Sequence, residues 1–459
     1  MKLKPYSKMK DSGVEWIGEI PEEWKKKKLK FISKLFGRIG FRGYTVDDIV
    51  NDYEGAITLS PSNIIDDKFN LDKKTYLSWT KYEESPEIQI FENDILLVKT
   101  GSTIGKICIV DNQTEKMTIN PQLVVLKSLQ ILPKFLTYFM RSNKFKDQIY
   151  CDIVGGSTPT ISQEKIFNYY ILSPTYEQQK QVVKYLDKKS IKIDSEISKN
   201  QKLIKLLKEK RQSTINDIVT KGLDPTVSMK DSGIGWIGKI PTEWSEPTIS
   251  RLKQMKIILD FQDGNHGELH PKGDDFIEYG IPFLTAQQID EYGKIDFIKA
   301  NKLSEQFCKK LRIGFAKPND VFFTHNATVG RVGIMSEDAP NSIIGTSITY
   351  YRLDDSKIDR KFFAYMMQSN YIYSQYEPIM KQSTRNQISI LKQAKLRVLF
   401  PHIDEQKQIA DFLDTEISKI NLFILKIESQ IEKLEELRQS LISSAVTGKI
   451  DLRNYPISV

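Results

Sequence analysis

The sequence predicts a duplicated protein. It has two α/β (α+β) globular heads, each followed by a long helix, and the two helices pair as an antiparallel coiled coil. Three observations predict this. The string MKDSGVEWIGEIPEEW, from Met9 to Trp24, returns as MKDSGIGWIGKIPTEW from Met229 to Trp244. The string EQQKQVVKYLD, from Glu177, returns as DEQKQIADFLD from Asp404. Each of the latter opens a stretch whose apolar residues recur every 3.5 positions, the signature of a coiled-coil seam. A period this long marks a duplicated domain rather than a solenoid of short repeats.

Each copy begins with an entry segment. Four of the five tryptophans lie in these two strings (Trp16, Trp24, Trp236, Trp244), together with a fixed proline. Large aromatics beside a rigid turn predict a segment that docks onto a domain. The second copy also contains Gly233-Ile-Gly235-Trp-Ile-Gly238-Lys239, which matches G-x-G-x-x-G and nearly matches a phosphate-binding loop. The twin argues against a nucleotide site. It places Glu15 and Glu19 where Gly235 and Lys239 stand, and Ile240 occupies the position that needs a hydroxyl. A phosphate loop requires those glycines for close backbone approach and that lysine for charge.

The predicted limits follow from these pairs. Residues 1–174 form the first entry segment and head, 175–222 the first long helix, 223–401 the second entry segment and head, 402–450 the second long helix, and 451–459 a tail. In the first helix Val183, Leu186, Ile193, Ile197, Ile204, Leu207 and Ile218 fall on the seam, interrupted by Ser190, Asn200, Arg211 and Thr214. The second is cleaner: Ala410, Leu413, Ile417, Ile420, Ile424, Ile427, Ile431, Leu434, Leu441 and Ala445, with Arg438 the polar exception. KGLDP from Lys221 and TGKIDL from Thr447 end the two helices. About 40 residues at 1.5 Å each make a helix of about 60 Å. An isolated oligomerisation zipper would show the same period, but here a partner of equal length lies in the same chain. Each head directly precedes its helix, so an antiparallel pair needs only a local step between repeats. That arrangement puts the heads at opposite ends of a rod, related by a pseudo-two-fold axis.

Composition narrows the class. The chain has 459 residues, 40% of them hydrophobic, which suffices for two or three domains with cores. Lys and Arg total 67 against 59 acidic residues, a net charge of +8 that fits a nucleic-acid partner without requiring one. Cys108, Cys151 and Cys308 are few and scattered, as expected in a reducing compartment. The N-terminal string MKLKPYSKMKDSG has no apolar core of a signal peptide. No apolar run nears the roughly 18 residues of a membrane span. A soluble cytoplasmic protein is expected.

A third, weaker twin lies in the heads. NDILLVKTGSTIGKI from Asn93 resembles NDVFFTHNATVGRV from Asn319 with one residue deleted. It reads as strand, loop, strand. The first loop holds Lys99, Thr100, Gly101, Ser102, Thr103 and Lys106; the second holds His325, Asn326, Thr328 and Arg331. Hydroxyls and amides bond phosphates or base edges, and cations neutralise phosphate. An ordinary polar hairpin would carry the same residues. A further polar loop precedes each long helix, GGSTPTIS with Ser157 and Thr158, and KQSTRNQIS with Ser383, Thr384, Arg385, Asn386 and Gln387. Arginine suits guanine, and asparagine or glutamine suits adenine. The first copy has Pro159 and Thr160 there, so the heads carry different chemistry on one plan. Lys25 to Lys28, Lys30, Arg38 and Arg42 make the first head locally basic, although a charge run is usually a solvated face.

Catalytic constellations are missing from the sequence. His266 and His270 form H-x-x-x-H inside the loop DGNHGELHPKG, without the glutamate of H-E-x-x-H. Glu23-Trp-Lys25 gives a nuclease-like E-x-K, but its twin is Glu243-Trp-Ser245. There is no Asn- or Asp-Pro-Pro-aromatic tetrapeptide, no G-x-S-x-G and no Cys/His pair. No catalytic residue and no metal ligand is assigned to this chain.

At this point the chain resembles the specificity subunit of type I restriction–modification systems, full-length with two target recognition domains. The carriers are the twin DSG..WIG.IP..W entries, the Glu/Asp-x-Gln-x-Gln openings of both long helices, and the loops TGSTIGK and DGNH…GIPFLTAQQI, which add Asp263 and His266 to the candidate DNA contacts. The resemblance spans essentially the whole chain in order. It implies that each head reads one half of a bipartite asymmetric site on double-stranded DNA. It further implies that the helices fix the unread gap and dock two modification subunits that methylate adenine N6. S-adenosylmethionine, ATP and Mg would then belong to partner subunits, among them restriction subunits that translocate and cleave DNA. Heads in this family vary greatly, so contact residues transfer poorly from it. Three alternatives stay open: a fused enzyme with an overlooked cofactor site, a coiled-coil scaffold that binds only protein, and a specificity subunit of a methylation-only complex.

Overall fold

The computed structural model describes residues 4–40, 43–111, 113, 115–156, 158–233, 237–381 and 386–456. The chain divides into two compact units. Unit 1 comprises residues 1–199 and 429–459, and unit 2 residues 200–428. Each unit holds one head and half of each long helix.

The first long helix runs Tyr176–Lys221 and the second Ile403–Val446. They pack antiparallel, and this is visible inside each unit separately. In unit 1, Asp194 of the first helix pairs with Arg438 of the second at 2.6 Å, while Ile442, Ala445 and Val446 join the core that holds Val182, Val183 and Leu186. In unit 2, Glu405 near the start of the second helix lies against Gly222 just past the end of the first. Leu186, Ile193, Ile197, Leu413, Ile420, Ile424 and Ile427 are buried; Ile204, Leu207, Ile431 and Leu434 are half-buried. Near its end the first helix buries Ile215 and Val219 completely, positions that the heptads leave off the seam. Here the helix meets the head of unit 2 as well as its partner helix, so it needs a wider apolar face than a two-helix seam supplies.

The duplication extends to sheet topology. In unit 1 the strands Ile107–Ile109, Ile95–Val98, Leu123–Lys127 and Lys34–Gly37 lie side by side in that order. In unit 2 the order is Val332–Ile334, Val321–Thr324, Ile348–Leu353 and Ile258–Asp263, the same plan. A second sheet pairs Met117–Ile119 in parallel with Gly55–Leu59, as Ser342–Ile344 pairs with Ile281–Leu284. Unit 2 adds the edge strand Phe315–Ala316 to this sheet. The strands Ile95–Val98 and Val321–Thr324 are buried along their whole length. They lie between layers on both faces, which is why they read as unbroken apolar runs rather than alternating ones.

The entry tryptophans pack as anchors. Trp24 is fully buried and meets Tyr6 edge-on at 6.0 Å. Trp244 is buried and donates its indole N–H to Glu405 at 3.0 Å. Trp16 packs partly buried against the unit 1 core; Trp236 lies outside the described residues. Residues that follow each long helix close over these anchors. Gly448, with φ +71°, lies against Pro21 and Trp24, where an added Cβ would sit 2.4 Å from the proline ring. Among the described residues no helix is long and apolar enough to cross a membrane.

Candidate nucleic-acid interface

In each head a buried antiparallel hairpin presents the polar loop found in the sequence. Ile95–Val98 pairs with Ile107–Ile109, and Val321–Thr324 with Val332–Ile334. The turns that start these hairpins are built alike. Asn93 and Asn319 both adopt left-handed backbone, at φ 69° and 73°, a conformation that asparagine tolerates. The next residue is a buried aspartate that caps its own turn: Asp94 accepts the Phe91 amide at 2.8 Å and Asp320 the Lys317 amide at 2.8 Å. Each also meets a cation on the neighbouring strand. Lys127 reaches Asp94 at 3.5 Å, whereas Arg352 binds Asp320 twice, at 2.9 and 2.7 Å.

The structure joins each hairpin loop to the second polar loop of its head. In unit 1 the Ile161 amide donates to the Lys99 carbonyl at 2.9 Å, and the Gly101 amide to the Pro159 carbonyl at 2.9 Å. In unit 2 the Ile388 amide donates to the His325 carbonyl at 2.9 Å, and the Ala327 amide to the Asn386 carbonyl at 3.0 Å. Loops some sixty residues apart thus share one backbone frame in both heads. On this frame Thr100 faces Thr160, their hydroxyls 2.8 Å apart, while Asn326 faces Gln387. The two heads present different hydrogen-bonding groups at matching positions.

The remaining candidates distribute around these frames. Ser102 and Thr158 are exposed, Thr103 is half-buried, and Lys106 reaches the Ile64 carbonyl at 3.5 Å. Lys99 is half-buried with its ammonium pushed below the ordinary lysine range by desolvation. In unit 2, Thr328 and Asn386 are exposed, and Arg331 is tied to the Ile289 carbonyl at 2.7 Å. Asp263 meets His266 at 2.9 Å, and both lie close enough to His325 to act on its charge. His325 itself is buried, its ring nitrogens are without hydrogen-bond partners among the described residues, and burial depresses its basicity. His270 contacts the Asn265 carbonyl at 3.3 Å rather than His266. Among the described residues no group of three His, Cys, Asp or Glu side chains is placed to hold a metal. Ser157, Ser383, Thr384, Arg385 and Arg42 lie outside the described residues.

Two loop residues show what the close packing demands. Gly330 has φ +97°, and a Cβ there would stand 2.7 Å from the Tyr376 hydroxyl. Ala327, at φ 61°, occupies the position where the first head has Gly101 at φ 104°, a strain of about 1 kcal/mol for a residue with a side chain. Sequence reading missed Thr160 as the partner of Thr100, and Gln122, whose carbonyl accepts the Lys99 amide at 2.8 Å. The register of the twin loops, in which Thr160 stands where Gln387 stands, carried that signal.

Fold and site together define a duplicated recognition protein that presents two variant loop frames on one scaffold. Residues 21–206 and 274–433 match the family described as type I restriction modification DNA specificity domain, and the chain belongs to that family. The type I restriction enzyme MjaVIII specificity subunit of Methanocaldococcus jannaschii is 26% identical over 373 residues, covering 80% of this chain and 81% of its own. The putative type I restriction enzyme MjaX specificity subunit of the same organism is 26% identical over 446 residues, covering 95% and 96%. A solved chain from work on complex assembly and conformational transition of the type I R-M system superposes with a TM-score of 0.64 at 16% identity, covering 94% of this chain and 99% of that one.

Proposed function

We propose that this chain is the DNA-reading specificity subunit of a type I restriction–modification complex. Each head reads one half of a bipartite, asymmetric site on double-stranded DNA, and the paired helices set the unread gap. The helices also dock two modification subunits that methylate adenine N6, and restriction subunits join that assembly. S-adenosylmethionine, ATP and Mg act on those partners, in the cytoplasm; this chain supplies sequence choice and no catalytic group. The observation that carries the reading is the shared loop frame with Thr100 and Thr160 in one head and Asn326 and Gln387 in the other. A common backbone frame with different donors and acceptors suits two heads that read different bases.

The test is a methylome by long-read sequencing, with the gene present and deleted, in cells that carry the partner subunits. Loss of N6-methyladenine from one gapped, two-part motif is expected. An unchanged methylome in cells shown to express all subunits would overturn the proposal.

A further inference from the structure

The strand Lys25–Lys28 of unit 1 is written wholly in lysine, and Lys30 follows it. Alternate strand residues share a face. Lys26 and Lys28 both stand over the Tyr170 ring, 4.9 and 5.3 Å from its centroid. Lys28 and Lys30 both reach the Asn168 side-chain oxygen, at 3.4 and 3.0 Å, and Lys26 reaches the Gly13 carbonyl at 3.5 Å. Every one of these acceptors is neutral. Among the described residues none of Lys25 to Lys28 or Lys30 pairs with a carboxylate, although carboxylates line the adjoining groove. Asp152 in that groove pairs instead with Lys165, at 2.8 Å.

The scaffold does not need lysine here. The twin segment of unit 2 reads Ser245-Glu246-Pro247-Thr248, then Ser250, and still bridges its neighbour through Ser245 to Phe400 and Thr248 to Arg397. Glu246 there accepts the Tyr371 hydroxyl at 2.9 Å. Lysine is a poor strand former, and like charges gathered on one face repel, so the run works against folding. Three ammonium groups lie over neutral acceptors, and no carboxylate among the described residues pairs with them, which leaves them open to an external polyanion. Their location indicates which one. Asn168 ends the short helix Gln163–Phe167, and that helix follows directly on the loop that locks to Lys99 and Gly101.

We propose that Lys26, Lys28 and Lys30 form a phosphate rail that grips the duplex backbone beside the bases read by the first head. This rests on the DNA-reading function proposed above. It gives the two halves of the site unequal dependence on salt, because the second head carries a carboxylate and hydroxyls in the twin strand.

The test uses the full chain co-purified with its modification subunits and a duplex that contains the motif found in the methylome. Binding is measured over a series of salt concentrations for wild type and for Lys26→Gln/Lys28→Gln/Lys30→Gln. Each phosphate contact contributes about 0.9 to the slope of log affinity against log salt, so the triple variant should be shallower by about 3 while the methylated motif is unchanged. The corresponding Lys→Arg triple should keep the wild-type slope. Should the glutamine triple fail to fold, Lys30→Gln alone, at an exposed position, should lower the slope by about 1. An unchanged slope with specific binding intact overturns the rail. An unchanged slope with loss of the modification subunits also overturns it, and makes the face a protein interface. Wild-type complex that shows no preference for the motif duplex overturns the underlying function and the rail with it.

Discussion

Gln406 holds Asp359: its side-chain oxygen accepts the Asp359 amide at 3.0 Å, and its side-chain nitrogen donates to the Pro401 carbonyl at 2.8 Å. Gln179 does the same in the other unit, accepting from Leu132 at 2.8 Å and donating to Pro174 at 2.9 Å. Both glutamines are buried. Each ties the first turn of a long helix to the start of a head helix, and these are the glutamines shared by the twin strings at Glu177 and Asp404. The repeat in the sequence is therefore a repeat of one helix-to-head joint.

Replacing Gln406 by leucine fills the same space and leaves the part-buried Asp359 amide and the buried Pro401 carbonyl without the partner that Gln406 supplies. An unsatisfied buried group costs about 1–3 kcal/mol. Gln406→Leu should destabilise the protein by about 2–4 kcal/mol in urea unfolding, and Gln406→Glu by less, because it retains the acceptor. A loss under about 0.5 kcal/mol for the leucine variant would show that the joint does not depend on this side chain.

The hairpin turns give a ranked pair. Asp320 is nearly inaccessible and holds Arg352 through two bonds, whereas Asp94 meets Lys127 by one contact at 3.5 Å. Removing one partner of a buried ion pair costs about 3–5 kcal/mol. Arg352 keeps a quarter of its side chain exposed, so Asp320→Asn should cost no more than the lower end of that range, about 3 kcal/mol, and Asp94→Asn visibly less in the same unfolding assay. The reverse order would mean that the turn caps, rather than the cations, dominate at both sites.

If the proposed function holds, each head reads its own half of the site, and the two readings can be separated. Asn326→Ala with Gln387→Ala removes the amides that distinguish the unit 2 frame. A bidentate base contact is worth about 1–3 kcal/mol of discrimination, roughly 5- to 150-fold. The methylome of this variant should relax at one half of the motif and keep the other half unchanged. Relaxation in both halves would contradict independent heads.

How much of this was legible in the sequence depends on what the residues have to satisfy. The long helices were legible because apolar residues recur along one seam over many turns despite a few polar interruptions, and Leu186, Ile193, Leu413 and Ile424 are buried where the period puts them. The hairpins were legible because the twin strings from Asn93 and Asn319 each read as strand, loop, strand. Pairing between Thr100 and Thr160 was not, because it arises from two loops that meet only in the folded head, with no local pattern to announce it. Nor did the heptads give Ile215 and Val219, whose burial comes from a third surface that a two-helix period ignores.

Burial of His325 should make the second loop frame sensitive to acid. It is buried, its ring nitrogens are unpartnered among the described residues, and desolvation holds its pKa below the ordinary histidine value of about 6.5. The Asp263 carboxylate and the backbone at Ile348 oppose this shift, and the neighbouring His266 adds to it. The sign follows from proton uptake. As pH falls through the ordinary histidine range the unfolded chain takes up a proton before the folded one, so stability is present in full above about 6.5 and declines toward the depressed folded pKa. Thermal midpoints measured from about pH 7.5 down to about pH 5, across the ordinary histidine range, should drop more for wild type than for His325→Gln. Because the His325 carbonyl receives the Ile388 amide, the proposed function predicts that the same acid range weakens binding at the half-site assigned to unit 2 before the other. Equal pH dependence of wild type and His325→Gln, in both midpoint and binding, would assign the acid response to groups other than His325.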